Sequence, residues 1–489
     1  MDNVIVVGSG IAGIAVSIRL AKQGFKVKVF ESSSFPGGKL SNFKLGKYRF
    51  DFGPSLFTMP KLVEDLFEIC NEETSEFFQY KRKEVSCNYF WEDGVRLKSF
   101  FDKKKFTNEV SSNLNVEKKI ILNYMNKSKI KYDLTESIFL KKSLHNYKNL
   151  LNKQTLKAIL NIKKLDLNQT LHQVNQNQLK EKHLVQMFDR YATYNGSNPY
   201  KTSGIMSLIQ HLENNIGTFV PNKGMVEITN SLFKLAKRQG VEFLFNSRID
   251  KIVTKKNKVQ GVNSNGKFYE SQILVSNSDV YYTYKKLLGD KNKSSKLSKI
   301  ERSSSAVIFY WGISRKFKML DLHNIFFSND YKKEFEHIFN KKSVFNDPTV
   351  YINITSKDVM SDAPKNSENW FVMINVPSDS GQDWDKIVKK LRDDTIRKIN
   401  VILKCSITDY IEEERIVTPK IIDKKTESFM GALYGNSSNS LKSSFVRHPN
   451  FSKKYDNLFF CGGTVHPGGG IPLCLNSASI VSDLVSKKF

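Results

Sequence analysis

The stretch VIVVGSGIAGIAVSIRLAKQGFKVKVFE, residues 4–31, decides the fold of this 489-residue chain. Its first four residues, 4–7, are apolar and β-branched, which is typical of a parallel strand buried on both faces. A glycine-rich turn and a segment with helical spacing follow, and Gly24 suits the position just past a helix. Residues 25–30 alternate as a second strand, which Glu31 closes. The order of strand, turn, helix and strand predicts a dinucleotide-binding unit.

The glycine-rich turn has the spacing that a bound pyrophosphate requires. Gly8 permits the tight turn, Gly10 lets the backbone approach the phosphates, and Gly13 lets the helix pack closely on the strand. The helix N-terminus around Ala12 supplies free N–H groups and a partial positive charge for phosphate. Glu31 accepts hydrogen bonds from a ribose diol and disfavours a 2′-phosphate. We therefore expect these five residues to bind a dinucleotide that lacks this phosphate.

The glycine pair at residues 37 and 38, followed by a cation, is predicted to add further contacts to the dinucleotide. Gly38 and Lys39 belong to this segment, which marks FAD rather than NAD in flavoproteins that resemble amine oxidases and carotenoid desaturases. Those proteins usually have Arg where Lys39 stands. Lysine keeps the charge but loses the planar fork of a guanidinium. Gly53, Pro54 and Ser55 then resemble the segment that passes the flavin ring in this group.

The C-terminal stretch CGGTVHPGGGIPLCLNSA, residues 461–478, is predicted to complete the flavin site. Gly463 would let the backbone reach the ribityl and phosphate part of FAD. Gly470 and Ile471 would bring bare backbone against the flavin ring. A helix is expected to begin near Leu473, with the positive end of its dipole at the pyrimidine edge of the flavin.

Two stretches carry a likeness to one family of flavoproteins. VHPGGGIPLCL, residues 465–475, and DRYATYNGSNPY, residues 189–200, resemble phytoene-desaturase-type carotenoid oxidoreductases, closest to the branch of 1-hydroxycarotenoid 3,4-desaturases. The likeness covers nearly the whole chain. It implies FAD-dependent removal of two hydrogens at C-3,4 of a 1-hydroxylated acyclic or monocyclic carotenoid, as a hydride to the flavin and a proton from the neighbouring carbon. The polyene delocalises the developing positive charge, so the protein supplies mainly position.

Asp189 and Arg190 are the candidate catalytic residues. Adjacent opposite charges in an aromatic-rich stretch either stabilise developing charge or carry the proton, and a structural ion pair explains them equally well. His466 is a second candidate, with a structural role in the turn as its alternative. A hydroxylated end group needs a polar partner at the closed end of its pocket, although a polar turn is an equally simple explanation of the residues available. The candidates for this partner are Asn195, Ser197 and Asn198.

The predicted fold class is α/β. A Rossmann-like FAD-binding domain, of the type shared by amine oxidases and phytoene desaturases, carries an inserted sheet-and-helix substrate domain and a helical membrane-associated region. In the second part of the FAD domain, the backbone at Ile249 would meet the adenine. In the substrate domain, a helix is expected from Trp384 to Ile402. The predicted boundaries are 1–75, 216–285 and 431–489 for the FAD domain, 76–215 for the helical membrane or substrate region, and 286–430 for the substrate domain.

Composition narrows the partners of the chain. Lysine and arginine number 76 against 49 acidic residues, a net charge of +27. Such a surface suits an anionic membrane or nucleic acid, or is plain compositional bias. The sequence contains no arginine-rich block with interleaved aromatics, so we expect no nucleic-acid partner. The five cysteines form no CxxC pair and no metal motif, which indicates reduced thiols in a cytoplasmic setting.

Residues 138–167 mix leucines and isoleucines with lysines, and predict an amphipathic, basic helix pair of the kind that anchors monotopic proteins. An ordinary helix packed on the core is the alternative. We expect peripheral attachment to the cytoplasmic side of a membrane, from which a carotenoid would be drawn. The apolar residues of this predicted anchor are Leu150, Leu151, Leu156, Ile159 and Leu160.

Three other functions fit the same motifs. Two stay within enzymes, namely phytoene desaturation and redox-neutral cis–trans isomerisation of a carotenoid. The third is a carrier of lipidated partners that has lost FAD. The carrier is disfavoured because the glycine turn and Glu31 are both retained. The electron acceptor, oxygen or a quinone, and the oligomeric state are left open.

Overall fold

The computed structural model describes residues 2–146 and 151–489. Its strands are β1 (Asn3–Val7), β2 (Lys26–Phe30), β3 (Asn42–Leu45), β4 (Tyr48–Asp51), β5 (Tyr80–Arg82), β6 (Val85–Phe90), β7 (Arg96–Phe100), β8 (Phe219–Pro221), β9 (Glu242–Leu244), β10 (Ile249–Lys255), β11 (Lys258–Ser264), β12 (Lys267–Glu270), β13 (Ile273–Ser276), β14 (Ser305–Ile313), β15 (His323–Phe326), β16 (Val350–Asn353), β17 (Glu368–Val376), β18 (Ile411–Val417) and β19 (Leu458–Phe460).

The α-helices are α1 (Ile11–Lys22), α2 (Lys61–Glu68), α3 (Thr74–Phe77), α4 (Lys103–Leu114), α5 (Lys118–Thr135), α6 (Lys153–Leu160), α7 (Leu171–Leu179), α8 (Lys182–Asp189), α9 (Ile209–His211), α10 (Val226–Arg238), α11 (Val280–Tyr282), α12 (Lys291–Ser298), α13 (Tyr331–Glu336), α14 (Trp384–Leu403), α15 (Pro419–Thr426), α16 (Leu441–Phe445) and α17 (Ile471–Ser486). Short 3₁₀ and π turns, among them Glu136–Leu140, Arg190–Asn195 and Leu212–Ile216, link several of these helices.

A parallel five-stranded sheet forms the first layer, in the order β19-β13-β1-β2-β9. One face is covered by α1, α10 and α17, and the other packs on the antiparallel sheet of β10, β11 and β12. Both faces of the five-stranded sheet are therefore shielded from water, which explains the continuous apolar run of β1. The carboxyl ends of four of its strands lead into Gly8, Glu31, Asn277 and Cys461, so residues distant in sequence meet at one edge of the sheet.

A mixed seven-stranded sheet forms the second layer, in the order β18-β14-β17-β16-β15-β6-β7. The side chains of α14 share a buried core with this sheet, and Trp311 and Trp370 lie opposite each other in the β14–β17 register. The predicted helix from Trp384 is confirmed and extends to Leu403. The prediction of a mostly helical region 76–215 is wrong at β5, β6 and β7. Because β6 lies between two other strands, its polar residues are buried as well, and the sequence shows no alternation there.

Helices α4, α5, α7, α8 and α9 pack beside the second sheet around a core that includes Tyr124, Leu184 and Phe188. The predicted amphipathic helix pair is shorter than expected. The described part consists of the π turn Glu136–Leu140, helix α6 and the 3₁₀ turn Ile162–Leu165, and Leu150 lies outside the described residues. Within residues 2–146 and 151–489, no helix combines the length and the apolar character needed to cross a bilayer.

Candidate active site

A cavity of about 770 Å³ is lined both by the carboxyl-edge turns of the parallel sheet and by the seven-stranded sheet. All but one of the predicted cofactor-binding residues line it. Those that do are Gly8, Gly10, Ala12, Glu31, Gly38, Lys39, Gly53, Pro54, Ser55, Ile249, Gly463, Gly470 and Ile471. The remaining predicted residue, Gly13, lies behind the turn.

The glycine-rich turn is held by a residue that the motif did not reveal, Asn277. The backbone N–H of Gly13 donates to Asn277 Oδ1 over 3.1 Å, and Asn277 Nδ2 donates to the carbonyl of Cys461 over 3.2 Å. A Cβ at Gly10 would lie 2.8 Å from Asn277 Oδ1, and one at Gly462 would lie 2.5 Å from Asn277 Nδ2. The Asn277 side-chain amide therefore joins the N-terminal and C-terminal glycine turns. It lies so close to the backbone at positions 10 and 462 that only glycine fits there. Asn277 directly follows the apolar strand β13, and this position was the signal available in the sequence.

Glu31 lies at the ribose end of the predicted site and is held by the backbone around it. Its carboxylate accepts hydrogen bonds from the N–H and hydroxyl of Ser9, both at 2.8 Å, and from the N–H of Ser33 at 2.8 Å. The N–H of Ser247 donates to the carbonyl of Glu31, which brings the start of β10 and Ile249 next to it. The Ser32 hydroxyl also donates to Glu31 Oε1, over 3.2 Å, so the lone pairs of both carboxylate oxygens are occupied. A ribose diol would bind here by displacing the hydroxyl of Ser9 or Ser32, either of which can rotate away.

Lys39 supplies a positive charge to the middle of the cavity. Its Nζ donates to the carbonyl of Leu433 over 3.2 Å, and an ammonium has three N–H groups, so donors remain for an anionic ligand. Burial lowers the pKa of Lys39, while the nearby Asp279 carboxyl and Cys474 thiol oppose that shift. A desolvated cation with spare donors fits the anionic portion of a dinucleotide, so lysine serves here without the fork of an arginine.

The C-terminal turn presents backbone to the cavity. Gly470 has φ +105°, and a Cβ built on it would meet nothing within 4 Å, so the residue borders open space. Helix α17 begins at Ile471, two residues earlier than predicted, and the first N–H groups of a helix have no intrahelical partner. These free N–H groups and the open space at Gly470 fit the flavin end of FAD.

The second half of the cavity is mostly apolar and comes from the other layer. Its walls come from the 3₁₀ and π turns of the helical region and from the inner face of the seven-stranded sheet. The apolar residues of this wall are Phe139, Leu140, Ile205, Met206, Leu208, Ile209, Leu212, Ile308, Ile325, Phe371 and Met373. A long hydrocarbon placed here would lose its contact with water.

Arg190 is the main charged group in this apolar half. Its Nη2 donates to Glu213 Oε2 over 3.0 Å and to the hydroxyl of Tyr89 over 2.7 Å, and Tyr194 also bonds Glu213. Arg190 and Glu213 both line the cavity and are 9% and 1% exposed. Although burial opposes its charge, the neighbouring Tyr89, Tyr194 and Glu213 hold the pKa of Arg190 well above its ordinary value. The Arg190 guanidinium is thus held in its charged form, in a fixed position beside Glu213.

Asp189 lies on the other side of the same turn. Its carboxylate contacts His172 Nδ1 at 2.6 Å and accepts from Asn175 Nδ2 at 2.8 Å. The side chain does not line the cavity, and Arg190 pairs with Glu213 rather than with Asp189. The adjacent charges in the sequence therefore point apart, because successive residues of a helical turn project in different directions. Glu213 was not predicted, since nothing in the sequence around it sets it apart.

The predicted partners of a hydroxyl group have separate positions. Asn195 lines the cavity, and its Oδ1 has no hydrogen-bond partner. Ser197 accepts from the N–H of Ser438 at 2.8 Å, and Asn198 accepts from the N–H of Tyr200 at 2.9 Å. Neither of these two lines the cavity. The polar-turn explanation therefore describes Asn198, which stabilises its own loop, while Ser197 joins that loop to the segment of Ser438.

His466 contacts the helical region rather than the cavity. Its Nε2 donates to the carbonyl of Lys142 over 2.9 Å, and its ring packs edge-on against Phe139 and His145. Burial lowers the pKa of His466 to about 4. The structural alternative describes this residue, which ties the C-terminal glycine turn to the segment that bears Phe139.

The fold and the site together define the class of protein: an enzyme that holds a flavin dinucleotide at the edge of a parallel sheet, beside a largely apolar substrate chamber. A family model described as flavin containing amine oxidoreductase matches residues 11–486. The chain belongs to this family. The prediction of an FAD-dependent oxidoreductase is confirmed.

Individual relatives place the chain more closely within the family. It is 49% identical to a 1-hydroxycarotenoid 3,4-desaturase of Flavobacterium sp. (strain P99-3), over 99% of both chains. It is 29% identical to a 4,4'-diaponeurosporene oxygenase of Staphylococcus aureus, over 99% of this chain and 98% of that one. The crystal structure of an oxidoreductase from Methanosarcina mazei has the same fold, with a TM-score of 0.64 at 13% identity over 99% of this chain and 100% of that one. The predicted resemblance to carotenoid desaturases, with the hydroxycarotenoid branch, is confirmed.

Proposed function

We propose that this flavoenzyme introduces a double bond at C-3,4 of a 1-hydroxylated acyclic or monocyclic carotenoid. The observation that carries the proposal is the full-length, 49% identity to an enzyme of that name. The cavity supports it, since dinucleotide-binding turns and an apolar chamber border the same space. When bound, FAD would accept the hydride that leaves a C–H bond beside the polyene, and the proton from the neighbouring carbon would pass to the Glu213 carboxylate, which lines the chamber.

The residues of the chamber then have two tasks. The apolar walls orient the polyene and exclude water, which is the larger part of the work when the substrate delocalises its own charge. The Glu213 carboxylate, held by Arg190 and Tyr194, faces the chamber and stabilises positive charge that develops on the polyene. In this proposal Glu213 takes the part that the sequence predicted for Asp189, and Arg190 positions it.

We also propose that the enzyme draws its substrate from the cytoplasmic face of a membrane, to which it attaches peripherally. An apolar patch stands on and around α6, where Leu151 is 79% exposed and Leu160 is 76% exposed. The other members of this patch are Leu156, Ile159 and Ile162. Exposed lysines alternate with these residues, as in monotopic anchors.

The patch lies close to the chamber. Helix α6 contacts the π turn Glu136–Leu140, and Phe139 and Leu140 of that turn line the cavity. Phe139 packs edge-on against Phe445, another lining residue, at a ring distance of 5.4 Å. A lipid that left the bilayer at the patch would have a short apolar path to the chamber.

The function is tested by incubating the FAD-loaded protein with liposomes that contain either a 1-hydroxylated carotenoid or phytoene, followed by mass spectrometry. We expect loss of two hydrogens from the hydroxylated compound and little turnover of phytoene. Faster conversion of phytoene would move the enzyme to the phytoene branch. A change of geometry without a change of mass would identify an isomerase. Repeating the assay with oxygen and with a quinone identifies the electron acceptor.

The membrane proposal is tested by flotation with anionic liposomes. Replacing Leu151, Leu156 and Leu160 by Ser should release the protein while flavin absorbance persists. A control variant with Met360 and Val401 replaced by Ser, both exposed apolar residues outside the patch, should still float. Salt should weaken flotation, because the Debye length is about 8 Å at physiological ionic strength. A triple variant that floats as well as the control would contradict the proposal.

A further inference from the structure

Three hydrogen-bonding side chains form a connected chain on the wall of the cavity. The hydroxyls of Ser55 and Tyr351 lie 2.8 Å apart, and the Tyr351 hydroxyl lies 2.7 Å from His323 Nδ1. All three residues line the cavity. They come from three segments: the turn after β4, the first residue of β15 and the second residue of β16. None of the motifs in the sequence connects them.

The direction of these hydrogen bonds follows from a fourth residue. Asn353 Nδ2 donates to the carbonyl of Leu322 over 3.0 Å and approaches His323 Nδ1 at 3.2 Å, so Nδ1 is an acceptor. Asn353 Nδ2 and the Tyr351 hydroxyl then share the single lone pair of Nδ1, and the Ser55 hydroxyl donates to Tyr351. Burial lowers the pKa of His323 to about 4, which keeps the ring neutral at neutral pH, and with Nδ1 as the acceptor Nε2 carries the ring proton. Ser55 Oγ is left with lone pairs beside the cavity.

The surroundings of Ser55 determine which group it suits. Most of the chamber wall is apolar, with the Arg190–Glu213 pair as its charged exception, and an acceptor in such a setting is stabilised by a ligand that brings a donor. Ser55 also belongs to the segment that is predicted to pass the flavin ring. In a 1-hydroxylated carotenoid, the hydroxyl lies only a few bonds from C-3,4, so its partner has to lie beside the flavin. Ser55 meets both requirements.

We propose that Ser55, Tyr351 and His323 form a subsite that binds the tertiary hydroxyl of the substrate, with Ser55 Oγ as the direct acceptor. This inference rests on the proposed function and adds the residues that select the hydroxylated end group. Tyr351 and His323 are positioning residues, because they fix the orientation of the Ser55 hydroxyl. The subsite takes the part that the sequence predicted for Asn195, Ser197 and Asn198.

The test compares two ligands that differ by one hydroxyl, 1-hydroxy-1,2-dihydrolycopene and 1,2-dihydrolycopene. Their dissociation constants from FAD-loaded protein are measured by quenching of tryptophan fluorescence. In the unchanged protein the hydroxylated ligand should bind more tightly. Ser55→Ala and Tyr351→Phe should each weaken its binding about tenfold and leave the other ligand unaffected. Tyr48→Phe is the matched control, since its hydroxyl bonds Glu412 outside the cavity, and should change neither constant.

Four outcomes would overturn the subsite. If the variants weakened the binding of both ligands equally, the hydrogen-bonded series of Ser55, Tyr351 and His323 would be only a structural part of the cavity wall. A lower FAD affinity in Ser55→Ala would show that these hydrogen-bonded residues bind the cofactor and not the substrate. Variants that keep the preference for the hydroxylated ligand, while the unchanged protein still desaturates it, would refute the subsite and leave the proposed function intact. An unchanged protein that binds neither ligand would contradict both.

Discussion

The two halves of the cavity are formed by different parts of the polypeptide, one mainly by backbone and the other by side chains. The cofactor half consists mainly of backbone, from glycine turns at the carboxyl edge of the parallel sheet, joined by the side chain of Asn277. The substrate half consists of side chains from the helical region and the seven-stranded sheet, with the buried Arg190–Glu213 pair among them. A site made of backbone depends on a few residues that have no side chain. A site made of side chains depends on pairs, each of which needs its partner.

This difference predicts how a substitution in each half affects ligand binding and stability. A side chain added to a glycine turn blocks the space for the ligand while the rest of the fold persists. A partner removed from a buried pair leaves an uncompensated charge, so the fold is weakened along with the site. Variants in the two halves should therefore separate loss of cofactor from loss of stability.

The largest effect is expected for Gly10→Val. The new Cβ would lie 2.8 Å from Asn277 Oδ1, and its methyl groups would take the space where the backbone meets pyrophosphate. We expect FAD binding to be abolished while the seven-stranded sheet stays folded. Flavin absorbance after gel filtration and near-ultraviolet circular dichroism measure the two parts. The control is Gly24→Ala, at φ +95° outside the cavity, which should retain FAD.

The next effect is expected for Arg190→Met. It leaves Glu213 buried without its ion-pair partner, which should lower the free energy of unfolding by about 3–5 kcal/mol and stop turnover. FAD should still bind, because the pair lies in the other half of the cavity. Adding Glu213→Leu should recover much of the lost stability but not activity. A denaturant titration measures the free energy of unfolding of the single and double variants. Equal values for the two variants would contradict the expected recovery of stability.

Asp189→Asn sharpens the same comparison. Because Asp189 contacts His172 and Asn175 outside the cavity, we expect turnover per folded enzyme to be close to that of the unchanged protein. Steady-state kinetics at saturating FAD measures this. Loss of kcat in a stably folded variant would restore the catalytic role that the sequence predicted.

A smaller effect is expected for Glu31→Ala. The variant removes the acceptor for a ribose diol and should weaken FAD binding by about 1–3 kcal/mol. The loss is partial because the backbone contacts to pyrophosphate remain. Isothermal titration of the apoprotein with FAD measures it, with Glu242→Ala, an exposed residue on β9, as the control. Unchanged affinity would contradict the ribose assignment.

An effect that depends on pH is expected for His466, which links the two halves through Lys142. Its folded-state pKa of about 4 lies below the unfolded value near 6.5, so the unfolded chain binds the extra proton. The stabilisation from a neutral His466 is therefore present above pH 6.5 and is lost as the pH falls towards 4, at about 1.4 kcal/mol per pH unit at most. His466→Gln should lose less stability than the unchanged protein over this range. Parallel denaturation curves would contradict the assignment.

The sequence by itself determined the parallel sheet and the predicted FAD-contacting glycines. A strand, a turn and a helix follow one another within residues 4–31, and the physical demands on Gly8, Gly10 and Glu31 are local. The same is true of the turn that contains Gly470, where a bare backbone has to face the cavity. Spacing alone carries such information, because glycine is selected by the conformation of its own residue and by what lies directly against it.

The tertiary structure alone decided the partners in the substrate half. Glu213 meets Arg190, Ser55 meets Tyr351, and β6 joins a sheet whose other strands, apart from β7, lie more than two hundred residues further on. Asp189 and Arg190 are neighbours in the sequence, yet they face different surroundings. Hydrogen bonds and ion pairs between distant segments leave no periodicity or motif in either segment. They are fixed only when the two layers pack and the side chains between them lose their water.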